Sequence, residues 1–362
     1  MRASLNSSSS RRIFKSGLIE LTQTLRGCRK RRLSVVVGWR SARNPWLREG
    51  YRLLASLILP DNKTKFLFFG GKGGVGKSTL SAATAVWLAD RGHRALLVST
   101  DLQWSLSDIF ELDIGYRLAE IPGADGLTVM ETEPAKLVQA HWHQLAGTVQ
   151  EVFGSSELLE IMGREISPCM MEMAGFYQLM ELFTKRGKDF DAVIFDTAPG
   201  GRALIEIRLP FTMARRYGDG DPFAPVRVTP DPRLEELTRE EERTRQTMSL
   251  MTDASRTVFL YALWPESLSI AEAERAITEL EERHIAVPAL LINHVIPLQE
   301  IQQADTSYFW SRYAMQEKHL QMIRARFGEK TLGIVPLLDV EVKGLRHLRE
   351  LGAMLYDAAM EA

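Results

Sequence analysis

From residue 61 onward the chain alternates between two hydrophobic patterns. Short apolar runs at 65–69, 95–99, 127–130, 191–195, 258–263, 289–292 and 332–335 read as buried strands, several closed by Gly, Asp or Asn. Between them, apolar residues recur at three- and four-residue spacing over 78–91, 135–153, 156–183, 270–284, 308–327 and 342–360, and 233–251 is a charged helical run, which together predict helices. Gly92 stops the first of these. Residues 210–232 hold five prolines and two glycines and read as loop. Continuous rather than alternating apolar strands, each followed by a helix, predict an α/β fold: a mostly parallel central sheet with helices on both faces and a small helical insertion at about 135–185. No internal repeat is present, so the pattern describes one unit over 61–362.

The first sixty residues differ. They carry thirteen Lys/Arg against two Asp/Glu, a balance of +11, whereas the remainder has a balance of −12. Phe14, Leu18, Leu21 and Leu25 recur at helical spacing among basic residues, in the manner of an organellar transit segment or a membrane-surface helix. Gly17 and Gly27 weaken that helix, and the favoured reading of 1–60 is a basic, disordered extension. The acidic body argues against nucleic-acid binding. No apolar run approaches the roughly 20 residues of a membrane-spanning helix, so a cytoplasmic protein, peripheral to a membrane at most, is expected. Cys28 and Cys169 lie too far apart in sequence to form a zinc ribbon, and no zinc is expected.

The motif with the most chemistry follows the first strand. Gly71-Lys72-Gly73-Gly74-Val75-Gly76-Lys77-Ser78, then Thr79, matches the phosphate-binding loop G-x-x-x-x-G-K-[ST] between a strand and a helix. Glycines let backbone N–H groups turn inward around phosphate oxygens, and the helix start adds a positive dipole end. Lys77 suits the β- and γ-phosphates and the Ser78 hydroxyl suits Mg²⁺, so ATP and Mg²⁺ are the expected cofactors. Asp101 closes the second strand, and Asp196 closes the run Ala192-Val193-Ile194-Phe195. The C-terminal ends of parallel strands are where such sheets place ligands.

Several of these segments resemble the ArsA-type ATPase family, which contains the arsenite-efflux pump ATPase and the targeting ATPase of tail-anchored membrane proteins. Lys72, directly after the first glycine, marks the deviant phosphate loop of the wider class. By resemblance it reaches across a nucleotide-sandwiched homodimer to the partner's phosphates. Ser99-Thr100-Asp101 and Ser105-Leu106-Ser107-Asp108 are similar to the family's S-T-D-P-A-H-x-L-S-D, which makes Asp101 the group that orients or deprotonates the attacking water, with Lys72 and Lys77 beside it in catalysis. Leu102-Gln103-Trp104 depart from that pattern. Asp196-Thr197-Ala198-Pro199 resembles F-D-T-A-P-T-G-H and implies that Asp196 holds Mg²⁺ or its waters; Gly200 and Arg202 depart there. Pro265-Glu266-Ser267-Leu268-Ser269-Ile270, Leu291-Ile292-Asn293-His294-Val295-Ile296-Pro297 and Val335-Pro336-Leu337-Leu338 extend the resemblance over residues 63–358. They imply that Glu266 and Asn293 contact the nucleotide and that Pro336 and Leu337 line its base pocket.

The family's branches differ in what they drive. Cys169 falls where the arsenite branch has a metalloid ligand, yet a soft As(III) site normally takes several thiolates and the body has one. Five of the fourteen methionines lie between Met162 and Met180, where flexible side chains suit either a groove for apolar helices or ordinary core packing. The resemblance thus implies a Mg-dependent ATPase, dimerising around ATP and coupled to membrane-protein targeting or to an anion or metalloid transporter. The alternative is a nucleotide-dependent dimeric scaffold with little turnover.

Overall fold

The computed structural model describes residues 53–100, 105–140, 168–197, 242–243, 245–303 and 307–357. Its strands are β1 (Lys65–Gly71), β2 (Ala95–Ser99), β3 (Ala119–Glu120), β4 (Leu127–Glu131), β5 (Ala192–Asp196), β6 (Thr257–Leu263), β7 (Ala289–Val295) and β8 (Thr331–Pro336). Its labelled helices are α1 (Lys77–Ala89), α2 (Ser105–Phe110), α3 (Pro134–Ala140), α4 (Pro168–Thr184), α5 (Ser267–Glu281), α6 (Leu298–Gln303), α7 (Ser307–Phe327) and α8 (Gly344–Tyr356). The strands form one sheet in the order β3-β4-β2-β5-β1-β6-β7-β8. Every pairing is parallel except that of the two-residue β3 with β4. This is the α/β architecture the alternating pattern predicts.

The strands read as unbroken apolar runs because both faces are covered. Successive residues of β1 divide between two cores: Leu67 and Phe69 pack on one face with α1 and α8, and Phe66 and Phe68 on the other with α4 and α5. On the second face Phe68 lies between Phe195 and Phe259, at centroid distances of 4.5 and 4.6 Å, and Phe66 stacks on Phe183 at 4.1 Å. Each fully buried Phe contributes about 1.5–3 kcal/mol of transfer free energy. On the first face α8 crosses α1, and the Thr84 and Tyr356 hydroxyls share a 2.6 Å hydrogen bond in the core.

One boundary and two short elements differ from the pattern. A helix over 53–58 lies on the extension side of Asp61, and Leu54 and Ile58 are fully buried in the α1 face, so the packed body reaches back at least to residue 53. The apolar stretch Leu53 to Leu59 was the signal, masked by the basic composition around it. Helix α2 and strand β3 are too short to leave a periodic trace. Of the helices predicted at 135–153, 156–183 and 233–251, the described parts are 134–140, 168–184 and helical residues within 242–252. The rest, with the Pro-rich 210–232, lies outside the described residues.

Candidate functional site

β1 occupies the middle of the sheet, flanked by β5 and β6, and its C-terminal end opens directly into the phosphate loop. Gly71 leaves the strand at φ 142°, and a Cβ there would stand 2.4 Å from the Ala262 carbonyl oxygen of β6 and 2.9 Å from Val75 Cγ2. Gly76 enters α1 at φ 93°, and a Cβ there would stand 2.4 Å from Asn293 Nδ2. Both positions therefore require glycine on conformation and on space. Between them the loop curls back: the Val75 N–H donates to the Lys72 carbonyl at 3.4 Å.

Lys77 begins α1 and is 94% buried, its ammonium donating to the Lys72 carbonyl at 3.2 Å across the loop. α1 starts without a side-chain cap and without an acidic residue in its first turn, so no carboxylate of its own first turn competes for its leading N–H groups. A glycine-walled cradle, an ammonium folded over it and an uncapped helix start form a donor set for an anion with several oxygens. Ser78 and Thr79, partly exposed, follow on the first turn.

Asn293, buried at the end of β7, is the loop's anchor. Its Nδ2 donates to the Val75 carbonyl at 2.9 Å, and its Oδ1 accepts from the His294 N–H at 2.8 Å. One N–H and one lone pair remain for a ligand. The position expected to read the nucleotide thus also holds the phosphate loop in shape. Leu337, half-exposed, donates its N–H to the Val295 carbonyl at 2.8 Å, and Pro336 ends β8 beside Val295. The end of β7 therefore joins the phosphate loop on one side to the Pro336–Leu337 turn on the other.

Asp196 is fully buried at the end of β5, in register with Phe69 of β1 and Ser99 of β2. The Ser99 hydroxyl donates to Asp196 Oδ2 at 3.3 Å, the Thr197 hydroxyl donates to the Phe69 carbonyl at 2.7 Å, and the Thr100 N–H donates to the Asp196 carbonyl at 2.9 Å. These bonds stitch the ends of β1, β2 and β5 together. The Ser78 hydroxyl and the Asp196 carboxylate, the pair expected to hold Mg²⁺, are hard oxygen groups that suit an ion which keeps most of its waters and takes few protein ligands. Asp101, Leu102-Gln103-Trp104, Gly200 and Arg202 lie outside the described residues. The side chain of Cys169, in the first turn of α4, does too.

Glu266 precedes α5, half-exposed, with Oε1 3.7 Å from Arg312 of α7. Lys72, the lysine marking the deviant loop, lies 4.0 Å from Glu272 of α5.

Two features of the site were not read from sequence. Glu131, buried at the end of β4, accepts from the Leu106 and Ser107 N–H groups at 2.7 and 3.1 Å and from the Ser107 hydroxyl at 2.5 Å. It caps α2 from a neighbouring strand, which fixes the segment directly after 101–104 to the sheet. An acid ending an apolar strand run was its only trace. The second feature is His294, at φ 60°, whose ring lies 4.5 Å from that of Trp264 at 22°. Burial of that ring face lowers the imidazole's pKa below its ordinary value.

The chain has relatives among named proteins. A family model described as Anion-transporting ATPase matches residues 64–219 and 221–357. A Halobacterium salinarum protein, provisionally named an arsenical pump-driving ATPase, is 32% identical over 294 residues, covering 81% of this chain and 44% of the relative. The ATPase get3 of Botryotinia fuckeliana is 29% identical over 318 residues, covering 82% of this chain and 91% of the relative. The ATPase GET3 of Phaeosphaeria nodorum is 30% identical, covering 81% and 95%. The chain thus spans under half the length of the pump-driving relative and nearly all of the other two. With the phosphate loop, the buried acid of β5 and the parallel sheet already in place, the conclusion is that this chain belongs to the anion-transporting ATPase family.

Proposed function

We propose that this chain is a Mg-dependent ATPase that binds ATP at Gly71–Thr79, closes as a homodimer around it, and uses turnover to drive a membrane-protein client or a membrane transporter. The observation that carries the reading is the cradle itself: Gly71 and Gly76 leave no room for a Cβ, Lys77 folds over it, and Asn293 holds its backbone. In this reading Lys77 clamps the β- and γ-phosphates, Ser78 and Asp196 hold Mg²⁺, and Asp101 positions the attacking water. When bound, Mg²⁺ neutralises charge building on the phosphate oxygens. Asn293, Pro336 and Leu337 receive the base, with Glu266 on the α5 side. Lys72 engages the phosphates of the second copy.

What turnover drives is set by a partner. Among the described residues no helix is long and apolar enough to cross a membrane, so a membrane-spanning component would be a separate chain or lie outside them. The test is the steady-state ATPase rate of the full chain alone, with arsenite, with antimonite, and with a peptide carrying an apolar tail helix. Stimulation by the peptide supports client targeting, and stimulation by metalloid supports the pump role. Nucleotide-dependent dimerisation without turnover under every condition would return the scaffold reading.

A further inference from the structure

We propose that the His294 imidazole, backed by the Trp264 indole, is a stacking wall for the nucleotide base and a determinant of base affinity. The proposal rests on the reading of Gly71–Thr79 as a nucleotide site and goes beyond it to a residue pair that neither the motifs nor the family pattern singled out. Four observations converge on it.

The first is placement. His294 stands between Asn293, which bonds the phosphate loop at Val75, and Val295, which bonds Leu337. A mononucleotide with its phosphates in the loop lays its base toward the strand ends beside the loop. Those are the ends of β6, which leads into Trp264, and of β7, which carries His294.

The second is ring geometry. The rings of Trp264 and His294 are nearly parallel, with centroids 4.5 Å apart. One face of the imidazole is therefore covered by indole, while the residue as a whole stays exposed. A flat, half-covered π surface suits a planar base.

The third is backbone strain. His294 adopts φ 60°, a left-handed conformation that is unfavourable for any residue with a Cβ. Asn293 holds it there, its Oδ1 accepting from the His294 N–H. Stacking on Trp264 returns about as much as the strained backbone loses, so the pair has little value as a stability device. Strain of this kind collects at ligand sites.

The fourth is an unmatched donor. Trp264 Nε1 is buried and has no hydrogen-bond acceptor among the described residues. A phenylalanine would give the core the same apolar contact without that penalty. An indole gives a ring stacked upon it a broader backing.

The experiment titrates the full chain, with Mg²⁺, with a non-hydrolysable ATP analogue and separately with inorganic tripolyphosphate. The parent, His294→Ala and His294→Phe are compared by calorimetry. Loss of one base–aromatic stack weakens the analogue roughly 10-fold in His294→Ala, leaves tripolyphosphate unchanged, and is reversed in His294→Phe. An unchanged analogue affinity in His294→Ala overturns the proposal. So does an equal loss for tripolyphosphate, which marks a distorted loop, and so does failure of phenylalanine to restore binding. A parent that binds the analogue no more tightly than tripolyphosphate overturns the wall and leaves the phosphate loop standing. A parent that binds neither overturns the nucleotide reading and the wall with it.

Discussion

Lys72 and Glu272 face one another across the mouth of the phosphate loop, Nζ to Oε2 at 4.0 Å, with 40% and 29% of their side chains exposed. A pair this open to water is worth about 0–1 kcal/mol and holds the lysine loosely. Lys72 therefore rests against its own chain and can exchange Glu272 for a phosphate at little cost.

A nucleotide-closed dimer makes that exchange measurable. With Mg²⁺ and a non-hydrolysable ATP analogue, the parent is expected to sediment as a dimer. Lys72→Ala is expected to weaken that shift, and Glu272→Gln to retain it. A chain that stays monomeric under every nucleotide condition would remove the role given to Lys72.

Lys77 and Asp101 are expected to separate in their effects. Lys77→Ala loses nucleotide binding, because Lys77 carries a charge buried against the cradle. Asp101→Asn keeps binding and loses about 10²–10⁴-fold in turnover, the range for removing a positioned general base. Binding and single-turnover hydrolysis measured on the same preparations check both. Parent-like turnover in Asp101→Asn would disqualify it as the base.

The glycine cradle gives a stability prediction of definite sign. Gly71→Ala must place a methyl 2.4 Å from the Ala262 carbonyl at φ 142°, and the neighbour is strand backbone that cannot retreat. Gly76→Ala meets instead Asn293 Nδ2 at 2.4 Å, the end of a side chain that can rotate away only by releasing Val75. Gly71→Ala should therefore lower Tm more, while Gly76→Ala should cost proportionally more in nucleotide affinity than in Tm. Thermal melts and nucleotide titrations of the two variants compare the effects.

The strands and the phosphate loop were legible because their signals are local. An apolar run ending in Gly70-Gly71 has one good reading, and G-x-x-x-x-G-K-S fixes both a backbone path and a chemistry. Asn293 was found only through resemblance, and its tether to Val75 joins positions 218 residues apart, which no periodicity encodes. Glu131, His294 and Trp264 were silent for the same reason: each acts through a neighbour that is close in space and remote or unremarkable in sequence. The helix over 53–58 was missed for a different one, since charge counted over sixty residues hid a short helix whose Leu54, Ala55, Leu57 and Ile58 pack into the core.

Glu131 should couple stability to catalysis. Its carboxylate takes two backbone N–H groups and one hydroxyl at the start of α2 while 97% buried. Glu131→Ala removes a cap worth about 0.5–2 kcal/mol and leaves buried donors unmatched. Because α2 follows the 101–104 segment, turnover should fall while nucleotide affinity, set by the loop at β1, stays near the parent value. Equal losses in both would mean that α2 supports the whole sheet end rather than the segment carrying Asp101.

Metalloids are not expected to stimulate this ATPase by a three-thiolate route. The chain has two cysteines: Cys28, within the basic N-terminal region, and Cys169, in the first turn of α4. A twofold dimer can at most pair two Cys169 thiolates, one fewer than the three sulfurs that a trigonal As(III) site takes, and softness alone does not replace a missing ligand. An apolar helix needs no such fixed geometry; Met180 is buried in the core, and the methionines from Met162 to Met173 have side chains flexible enough to adapt to one. Arsenite should therefore change the ATPase rate by less than an apolar helix does, and Cys169→Ser should leave both rates unchanged. Measuring the arsenite response of the parent and of Cys169→Ser side by side decides the matter. Strong stimulation in the parent, abolished by that single substitution, would make Cys169 a metalloid ligand and restore the pump role.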